Sequence, residues 1–170
     1  MKTEAKIKPI IEIKDLHKTF GTNHVLDGFN LSLNEGENLV VMGKSGSGKS
    51  VMIKCLIGLE EIDSGSIIIM DKNMTDISSE DLNEIRTEVG FLFQGSALYD
   101  SMSVRENLEF PLRRHTKKFG EIIDTTPLVM EALKSVGLEN NIDLMPNELS
   151  GGMKRRIALA RTLILKPKII

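Results

Sequence analysis

The chain has 170 residues, of which 41% are hydrophobic and 27% are charged. This length and composition are typical of one globular domain with its own core, and they exclude an intrinsically disordered chain. The net charge of −2 argues against a dedicated nucleic-acid-binding protein, and the single cysteine excludes an internal disulfide framework. Cys55 lies in an apolar stretch and is predicted to be a buried small hydrophobe.

The sequence contains no pattern that predicts insertion into a membrane. No apolar run approaches the roughly 18 residues that a membrane helix needs, and residues 1–9 lack the apolar core of a signal peptide. We therefore expect the chain to reach a membrane only by docking to a partner.

The first half of the chain is rich in predicted strands. Ile11, Ile13 and Leu16 are expected near one face of a strand, with Glu12 and Lys14 between them, and residues 29–33 alternate apolar and polar side chains as in a strand. Residues 38–42 are a continuous apolar run, which predicts a strand buried on both faces. The remaining predicted elements of this half are a strand over 66–70, a buried strand over 89–93, and helices over 49–59 and from Ser78 onward.

The second half changes in character after Gln94. Residues 96–165 contain no convincing strand pattern. The predicted helices are residues 103–110, 127–136 and 150–165. We therefore expect one domain over residues 1–170, with a strand-rich part up to about residue 95 and a helical part over about 96–165.

A glycine-rich loop follows the strand predicted over 38–42. Residues 43–50 read Gly-Lys-Ser-Gly-Ser-Gly-Lys-Ser, which fits the phosphate-loop pattern G-x-x-x-x-G-K-[ST]. A polyphosphate needs several converging N–H donors, and the glycines permit the close backbone approach and sharp turn that this requires. The helix that begins there directs free N–H groups and a positive dipole end towards an anion.

Two side chains of the loop have defined roles in such a site. Lys49 can reach the β- and γ-phosphates of a nucleotide, and the Ser50 hydroxyl can ligate Mg²⁺. The alternative is a flexible Gly/Ser turn without a ligand. A buried strand before the loop and a helix after it are the context that favours the nucleotide-phosphate site.

A second motif begins the last predicted helix. Residues 149–153 read Leu-Ser-Gly-Gly-Met, with Ser150 well placed as an N-cap, and basic residues follow. By itself the motif predicts only a capped helix with a solvated cationic face. In this order behind a phosphate loop, it makes the chain resemble the ATP-binding subunits of ABC transporters, from about Ile10 to its last residue. The resemblance implies an α/β fold, namely a P-loop NTPase core of the ABC type with an antiparallel β subdomain and an α-helical subdomain, incomplete at the C-terminus.

The resemblance also implies the residues of an ATP site. Phe20 corresponds to the aromatic residue that stacks on adenine, and Gln94 corresponds to the Q-loop glutamine, a catalytic residue that reaches Mg²⁺ or the attacking water. Ser150 and the amides of Gly151 and Gly152 form the signature, which in this family faces the ATP of a second ATPase subunit in a head-to-tail dimer. The cofactors implied are ATP and Mg²⁺. The full nucleotide-binding set is Phe20, Gly43, Lys44, Ser45, Gly46, Ser47, Gly48, Lys49, Ser50, Val51, Ser150, Gly151 and Gly152.

Two features of the sequence indicate which subfamily of these ATP-binding subunits the chain resembles. Met153 stands where many members of the family have glutamine, and a thioether cannot donate a hydrogen bond as glutamine can. This methionine and the stretch 93–108 are similar to the ATPase of bacterial Mla-type lipid transporters. That resemblance implies an integral membrane permease and a lipid-binding substrate protein as partners, phospholipid traffic between the envelope membranes, and a peripheral place on the cytoplasmic face of the bacterial inner membrane. A generic importer ATPase for another substrate is the alternative.

One apolar run resembles a Walker B strand. In an ATPase of this kind, that strand is apolar and ends in an aspartate that orients the metal and a glutamate that polarises the attacking water. Residues 67–71 read Ile-Ile-Ile-Met-Asp, but Lys72 stands where a glutamate is required, and the Asp-Ser-Gly entry suits an antiparallel hairpin. The expected place for the acids is after the signature helix, where residues 168–170 start an apolar strand. We therefore expect a longer subunit in which the acids and a switch histidine follow residue 170. The chain as given is expected to bind nucleotide without hydrolysing it.

Two other classes of protein are alternatives to a transporter ATPase. A soluble ABC protein of DNA repair or translation usually carries coiled-coil, zinc or tandem-domain insertions, which are not seen in this sequence, and no nucleic-acid partner is expected. A small-molecule P-loop kinase would not need residues 149–152.

The segment after the Q-loop glutamine predicts a contact with the permease. Residues 94–112 are expected to form the groove that receives a cytoplasmic helix of that partner. The apolar set behind this prediction is Leu98, Tyr99, Met102 and Val104. Packing of these four side chains into the core is the alternative.

Overall fold

The computed structural model describes residues 8–93, 95–115 and 124–170. These residues form two compact units, of which one ends at Ile85 and the other begins at Arg86. None of the helices within these ranges is both long enough and apolar enough to cross a bilayer.

The first unit is built on an antiparallel sheet with the strand order β2-β1-β3-β4. Its strands are β1 (Ile11–Phe20), β2 (Asn23–Leu33), β3 (Ser64–Ile69) and β4 (Lys72–Asn73). Ile11 and Ile13 of β1 lie opposite Ile69 and Ile67 of β3, and all four side chains are buried. The strands predicted over 11–16, 29–33 and 66–70 are therefore confirmed.

A bulge in β1 keeps a third apolar side chain on the buried face of this sheet. Strict alternation from Ile11 and Ile13 would direct Leu16 to the opposite face. The pairing of β1 shifts register next to both neighbouring strands in this region, and Asp15 has a φ of 48°. The extra residue restores Leu16 to the core, where its side chain is fully buried.

The run over residues 67–71, which resembles a Walker B strand, lies in this antiparallel sheet, as the Asp-Ser-Gly turn before it predicts. Residues 67–69 belong to β3, and Asp71 lies in the turn before β4 with a φ of 68°. The Asp71 carboxylate is exposed and forms an ion pair with Lys8 Nζ at 2.6 Å. A hairpin turn with its own ion pair supports the exclusion of Asp71 as the metal-orienting acid.

The strand predicted over residues 38–42 is wrong. These residues form no strand, and the side chains of Val40 and Met42 are 77% and 87% exposed. A strand buried on both faces takes its backbone hydrogen bonds from neighbours in a parallel sheet. Within the described ranges, no strand pairs with this segment, so its apolar side chains have no surface against which to pack.

The buried strand predicted over 89–93 is reduced to one parallel bridge between Val89 and Ile169. Val89 is buried, but Leu92 and Phe93 are 44% and 45% exposed. The prediction of a buried strand is therefore wrong beyond its first residue. Parallel pairing begins between the two apolar segments and extends no further, so no neighbouring strand covers Leu92 and Phe93, and the Phe93 ring contacts only the ring of Phe91 among the described aromatic side chains.

Two helices accompany the sheet. α1 (Lys49–Leu56) ends three residues earlier than predicted, and Gly58 follows it with a φ of 66°. Cys55 is 2% exposed, and burial raises the pKa of its thiol, so this residue packs as a small hydrophobe, as predicted. α2 (Ser79–Glu88) crosses the boundary between the units.

The second unit is helical, as predicted. Among the described residues, its α-helices after α2 are α3 (Val104–Arg114), α4 (Thr126–Ser135) and α5 (Gly151–Leu163), and short 3-10 helices lie at Glu139–Asn141 and Pro146–Glu148. α3 continues past Pro111 because Leu112 packs into the core of the unit. The three helices share this core, whose fully buried members include Val104, Leu108, Val129, Leu133 and Ile157.

A buried asparagine joins α3 to the turn before it. Asn107 is fully buried, and its Nδ2 donates to the carbonyl oxygens of Tyr99, Met102 and Ser103 at 2.9–3.1 Å. Its Oδ1 accepts a hydrogen bond from Tyr99 N at 2.8 Å. One side chain therefore supplies partners for several backbone groups of the turn, which satisfies them in a buried setting.

Replacing Asn107 with alanine should lower the free energy of unfolding by roughly 1–3 kcal/mol, because backbone groups of the turn lose a buried partner. Denaturant unfolding of the purified protein measures this change. Asn147 is exposed, so Asn147→Ala is the matched control and should stay within about 0.5 kcal/mol of the parent. Equal stability of the two variants would contradict the role assigned to Asn107.

Candidate functional site

The loop over residues 43–50 has a geometry that requires several of its glycines. Gly46 and Gly48 have φ values of +80° and +85°, a region that L side chains rarely adopt. A Cβ on Gly48 would lie 2.7 Å from the carbonyl oxygen of Val25 in β2, and a Cβ on Gly43 would lie 2.6 Å from a serine hydroxyl of the loop itself. The positive φ therefore favours glycine at positions 46 and 48, and Gly48 packs against β2 with no room for a side chain.

The ammonium of Lys49 lies inside this loop. Its Nζ donates to the carbonyl oxygens of Gly43 and Lys44 at 2.8 and 2.7 Å and to Ser47 Oγ at 3.2 Å. All three acceptors are neutral. An anion that enters the loop would offer charged acceptors, which form shorter and stronger hydrogen bonds with an ammonium.

α1 begins at the loop without a side-chain cap. Its N-cap residue is Gly48, which has no side chain to accept a hydrogen bond from the first turn. The N–H groups of that turn and the positive end of the helix dipole add to the charge of Lys49. Gly43 to Ser47 and Ser50 are exposed, and Val51 is half-buried. The Ser50 hydroxyl is therefore accessible to a metal ion beside a phosphate.

Phe20 ends β1 at the same end of the sheet as the loop. Its register partner in β2 is Asn23. Val25, two residues further along β2, is the residue against which Gly48 packs. The Phe20 ring is 45% exposed, so a flat base can stack on it. The structure thus brings together the aromatic residue and the loop that were singled out in the sequence.

One residue beside Phe20 was not predicted as part of a site. Asp63 precedes β3, and its Oδ2 accepts a hydrogen bond from Thr19 N at 2.7 Å. The sequence indicates only a turn at this position. The contact joins residues 44 positions apart, so no local motif signals it, and only the β1–β3 pairing could have suggested it.

The signature motif begins α5 in the second unit. Ser150 is the N-cap, as predicted, and its Oγ accepts a hydrogen bond from Met153 N at 3.2 Å. This cap uses the oxygen as an acceptor, so the hydroxyl hydrogen is not consumed by it. A Cβ on Gly151 or Gly152 would meet no atom within 4 Å. Packing within the unit therefore does not explain these two glycines.

Met153 is partly buried and packs against the hydrophobic core of the second unit. Its backbone N–H serves the cap, and its side chain serves the core. The structure thus gives this methionine a packing role within the helical unit.

Gln94 lies outside the described residues, so its expected place in catalysis and at Mg²⁺ stays a prediction. Of the apolar residues that follow it, Val104 is fully buried and Leu98 packs against the core of the second unit. Tyr99 is 44% exposed, and Met102 is half-buried. The prediction of a groove surface is therefore wrong for Val104, because its apolar side chain packs between helices, and Tyr99 is the most exposed of the set.

Known proteins resemble the chain along nearly its whole length. The family model for ABC transporters matches residues 26–170. The chain is 44% identical to the methionine import ATP-binding protein MetN of Clostridium tetani, over 95% of this chain and 50% of that protein. It is 47% identical to the probable ribonucleotide transport ATP-binding protein mkl of Mycobacterium leprae, over 94% of this chain and 46% of that protein. It thus spans about half the length of these curated relatives.

Solved structures agree with this result. A dimeric structure of the ATP-binding cassette MJ0796 bound to ADP and Pi has a TM-score of 0.82 and 32% sequence identity, and the match covers 92% of this chain and 70% of that one. The family match, the relatives and the shared fold lead to one conclusion. The chain belongs to the ABC transporter family and has the fold of its ATP-binding cassettes.

Proposed function

We propose that this chain supplies the ATP-binding part of an ABC transporter ATPase subunit, which uses ATP and Mg²⁺ to drive a membrane permease. The observation that carries the proposal is the Lys49 ammonium, which three neutral acceptors hold inside a glycine loop at the uncapped start of α1. A cation, a helix dipole and converging N–H groups at one point favour a polyphosphate over any neutral ligand.

The residues of the first unit divide the work of binding. Lys49 would exchange its neutral acceptors for phosphate oxygens, and the exposed Ser50 hydroxyl would be a ligand of Mg²⁺. The exposed ring of Phe20, at the same end of the sheet, stacks on the base. Mg²⁺ supplies neutralisation of the charge that develops on the phosphates during hydrolysis.

The signature supports a second contact with ATP, made across a dimer. Gly151 and Gly152 have open space around them, which allows an outside group to approach the backbone closely. The Ser150 hydroxyl hydrogen remains available for donation. Ser150 caps the N-terminus of α5, so the positive end of the helix dipole lies at the same place. These features suit the phosphates of a nucleotide held by another subunit. The similar ATP-binding cassette MJ0796 is dimeric in its complex with ADP and Pi, which is consistent with such an arrangement.

Replacing Lys49 with alanine should weaken the binding of MgATP about tenfold or more, because a charged hydrogen-bond partner of the phosphates is lost. Calorimetric titration of the purified protein measures the affinity. Lys54→Ala is the matched control, since Lys54 lies exposed on the same helix, 3.8 Å from Glu60, and outside the loop. Parental affinity in a folded Lys49→Ala protein would refute the proposal and leave the loop as a turn.

A second prediction separates the cap of α5 from its contact with phosphate. Aspartate caps a helix as well as serine does, so Ser150→Asp should preserve folding, but its carboxylate repels a phosphate. The full-length subunit with its permease should therefore lose most of its ATP hydrolysis, measured as phosphate release. Ser150→Asn is the matched control, because asparagine also caps a helix but carries no charge that repels a phosphate, so it should keep more turnover than Ser150→Asp. Parental turnover in a stable Ser150→Asp variant would refute the contact.

The permease is proposed to dock on the surface that follows Gln94. Cysteines placed at Tyr99 or Ser101, both exposed, should crosslink to the permease in membranes. The native Cys55 is buried and gives a silent background, and Asn147→Cys is an exposed control on another part of the unit. Crosslinks from Asn147 alone would place the permease elsewhere.

We also propose phospholipid as the cargo, with a lipid-binding substrate protein as a further partner and a peripheral place on the cytoplasmic face of the inner membrane. The support is the resemblance of Met153 and residues 93–108 to Mla-type ATPases. The relatives' names refer to methionine, ribonucleotides and, for a 39% identical protein of Haemophilus influenzae, spermidine and putrescine. An importer of such a substrate is therefore the alternative. Neighbouring genes for a permease and a lipid-binding subunit would favour phospholipid.

A further inference from the structure

We infer that Asp63, acting with Lys18, is a positioning residue that holds the Phe20 ring as the platform for the nucleotide base. The inference rests on the proposed function and adds to it a residue outside every motif of the site. It concerns the base alone, since the contacts of Asp63 lie at the end of β1 and not in the phosphate loop.

Two hydrogen bonds to backbone groups of β1 hold Asp63 at the end of that strand, one through its side chain and one through its own N–H. Its Oδ2 accepts from Thr19 N at 2.7 Å, and its own N–H donates to His17 O at 3.0 Å. The bonds therefore hold the backbone on both sides of Lys18, directly before Phe20. The direction in which the Phe20 ring leaves the strand depends on this stretch of backbone.

The carboxylate substitutes for a strand partner that is missing at this point. The last register pair of β1 with β3 is His17 with Ser64, so the β1–β3 ladder stops two residues before Thr19. The Thr19 N–H then finds its acceptor in the Asp63 side chain. That hydrogen bond is the main cause that holds the pKa of the Asp63 carboxyl below its usual range, so the side chain is ionised at neutral pH.

A close backbone contact fixes Asp63 in this position. A Cβ on Gly65 would lie 2.3 Å from the carbonyl oxygen of Asp15, and Gly65 has a φ of +96°. The chain at the start of β3 therefore lies directly against β1. This contact holds the backbone next to Asp63 against β1, and the hydrogen bonds of Asp63 to Thr19 N and His17 O complete the attachment.

Lys18 connects the carboxylate to the aromatic ring. Its side chain is 13% exposed, and its Nζ lies 3.5 Å from Asp63 Oδ1 and 5.1 Å from the centroid of the Phe20 ring. An ammonium over an aromatic face is attracted by the ring quadrupole. It covers one face of Phe20, so a base stacks on the opposite face. The chemical class of ligand that such a platform takes is a flat heteroaromatic ring, held by stacking.

The test compares ligands with and without a base. The full-length protein is titrated with MgATP and with magnesium tripolyphosphate, and Asp63→Ala should weaken ATP binding about three- to tenfold, a part of what base stacking provides. Tripolyphosphate affinity should not change. Lys18→Met should act in the same direction, and it keeps both backbone bonds of Asp63. Asp71→Ala is the control, because Asp71 is an exposed aspartate in another turn of the sheet.

A double substitution distinguishes positioning from general stability. In a Phe20→Ala background, Asp63→Ala should cause no further loss of ATP affinity, because no ring remains to be positioned. Equal losses for ATP and tripolyphosphate, or an unchanged ATP affinity in folded Asp63→Ala and Lys18→Met, would overturn the inference. The proposed function fails by a different result, namely a parent protein that does not bind ATP or a Lys49→Ala variant that binds it normally.

Discussion

The glycine-rich loop over residues 43–50 depends on one close contact, the approach of the Gly48 backbone to the carbonyl oxygen of Val25 in β2. A side chain at Gly48 would collide with that oxygen, and the φ of +85° would strain any residue that carried one. The same turn starts α1 at the next residue. The start of α1 in turn determines where the Lys49 side chain returns into the loop to meet the carbonyl oxygens of Gly43 and Lys44.

The two units expose the N-terminus of a helix in different ways. α1 has a glycine at its N-cap and a lysine cation within the loop before it, so backbone and charge can surround a polyphosphate on several sides. α5 has Ser150, whose oxygen already caps the helix, followed by two glycines in open space. The first arrangement suits a ligand held within its own unit. The second arrangement suits a contact with a ligand that another subunit holds.

Sequence patterns predicted the elements whose determinants are local. The cap at Ser150, the helices of the second unit and the hairpin that contains Asp71 all follow from short motifs and periodicity. Residues 38–42 and 89–93 were mispredicted because the burial of an apolar run depends on neighbouring strands, which the run itself does not specify. The shared face of Ile11, Ile13 and Leu16 was predicted correctly, but the bulge at Asp15 that produces it could not be read from the sequence pattern.

The two parts of the candidate nucleotide site also differ in how the sequence encodes them. The phosphate part is encoded by eight consecutive residues. The close contact with β2 explains Gly48, and the positive φ explains both Gly46 and Gly48. The base part, as we infer it, rests on a ring whose position depends on Asp63, 44 residues away from its hydrogen-bond partner Thr19. A motif search therefore finds the phosphate loop but does not detect the role of Asp63. Substitutions at the start of β3 can change how the base is held while every residue of the phosphate loop stays the same.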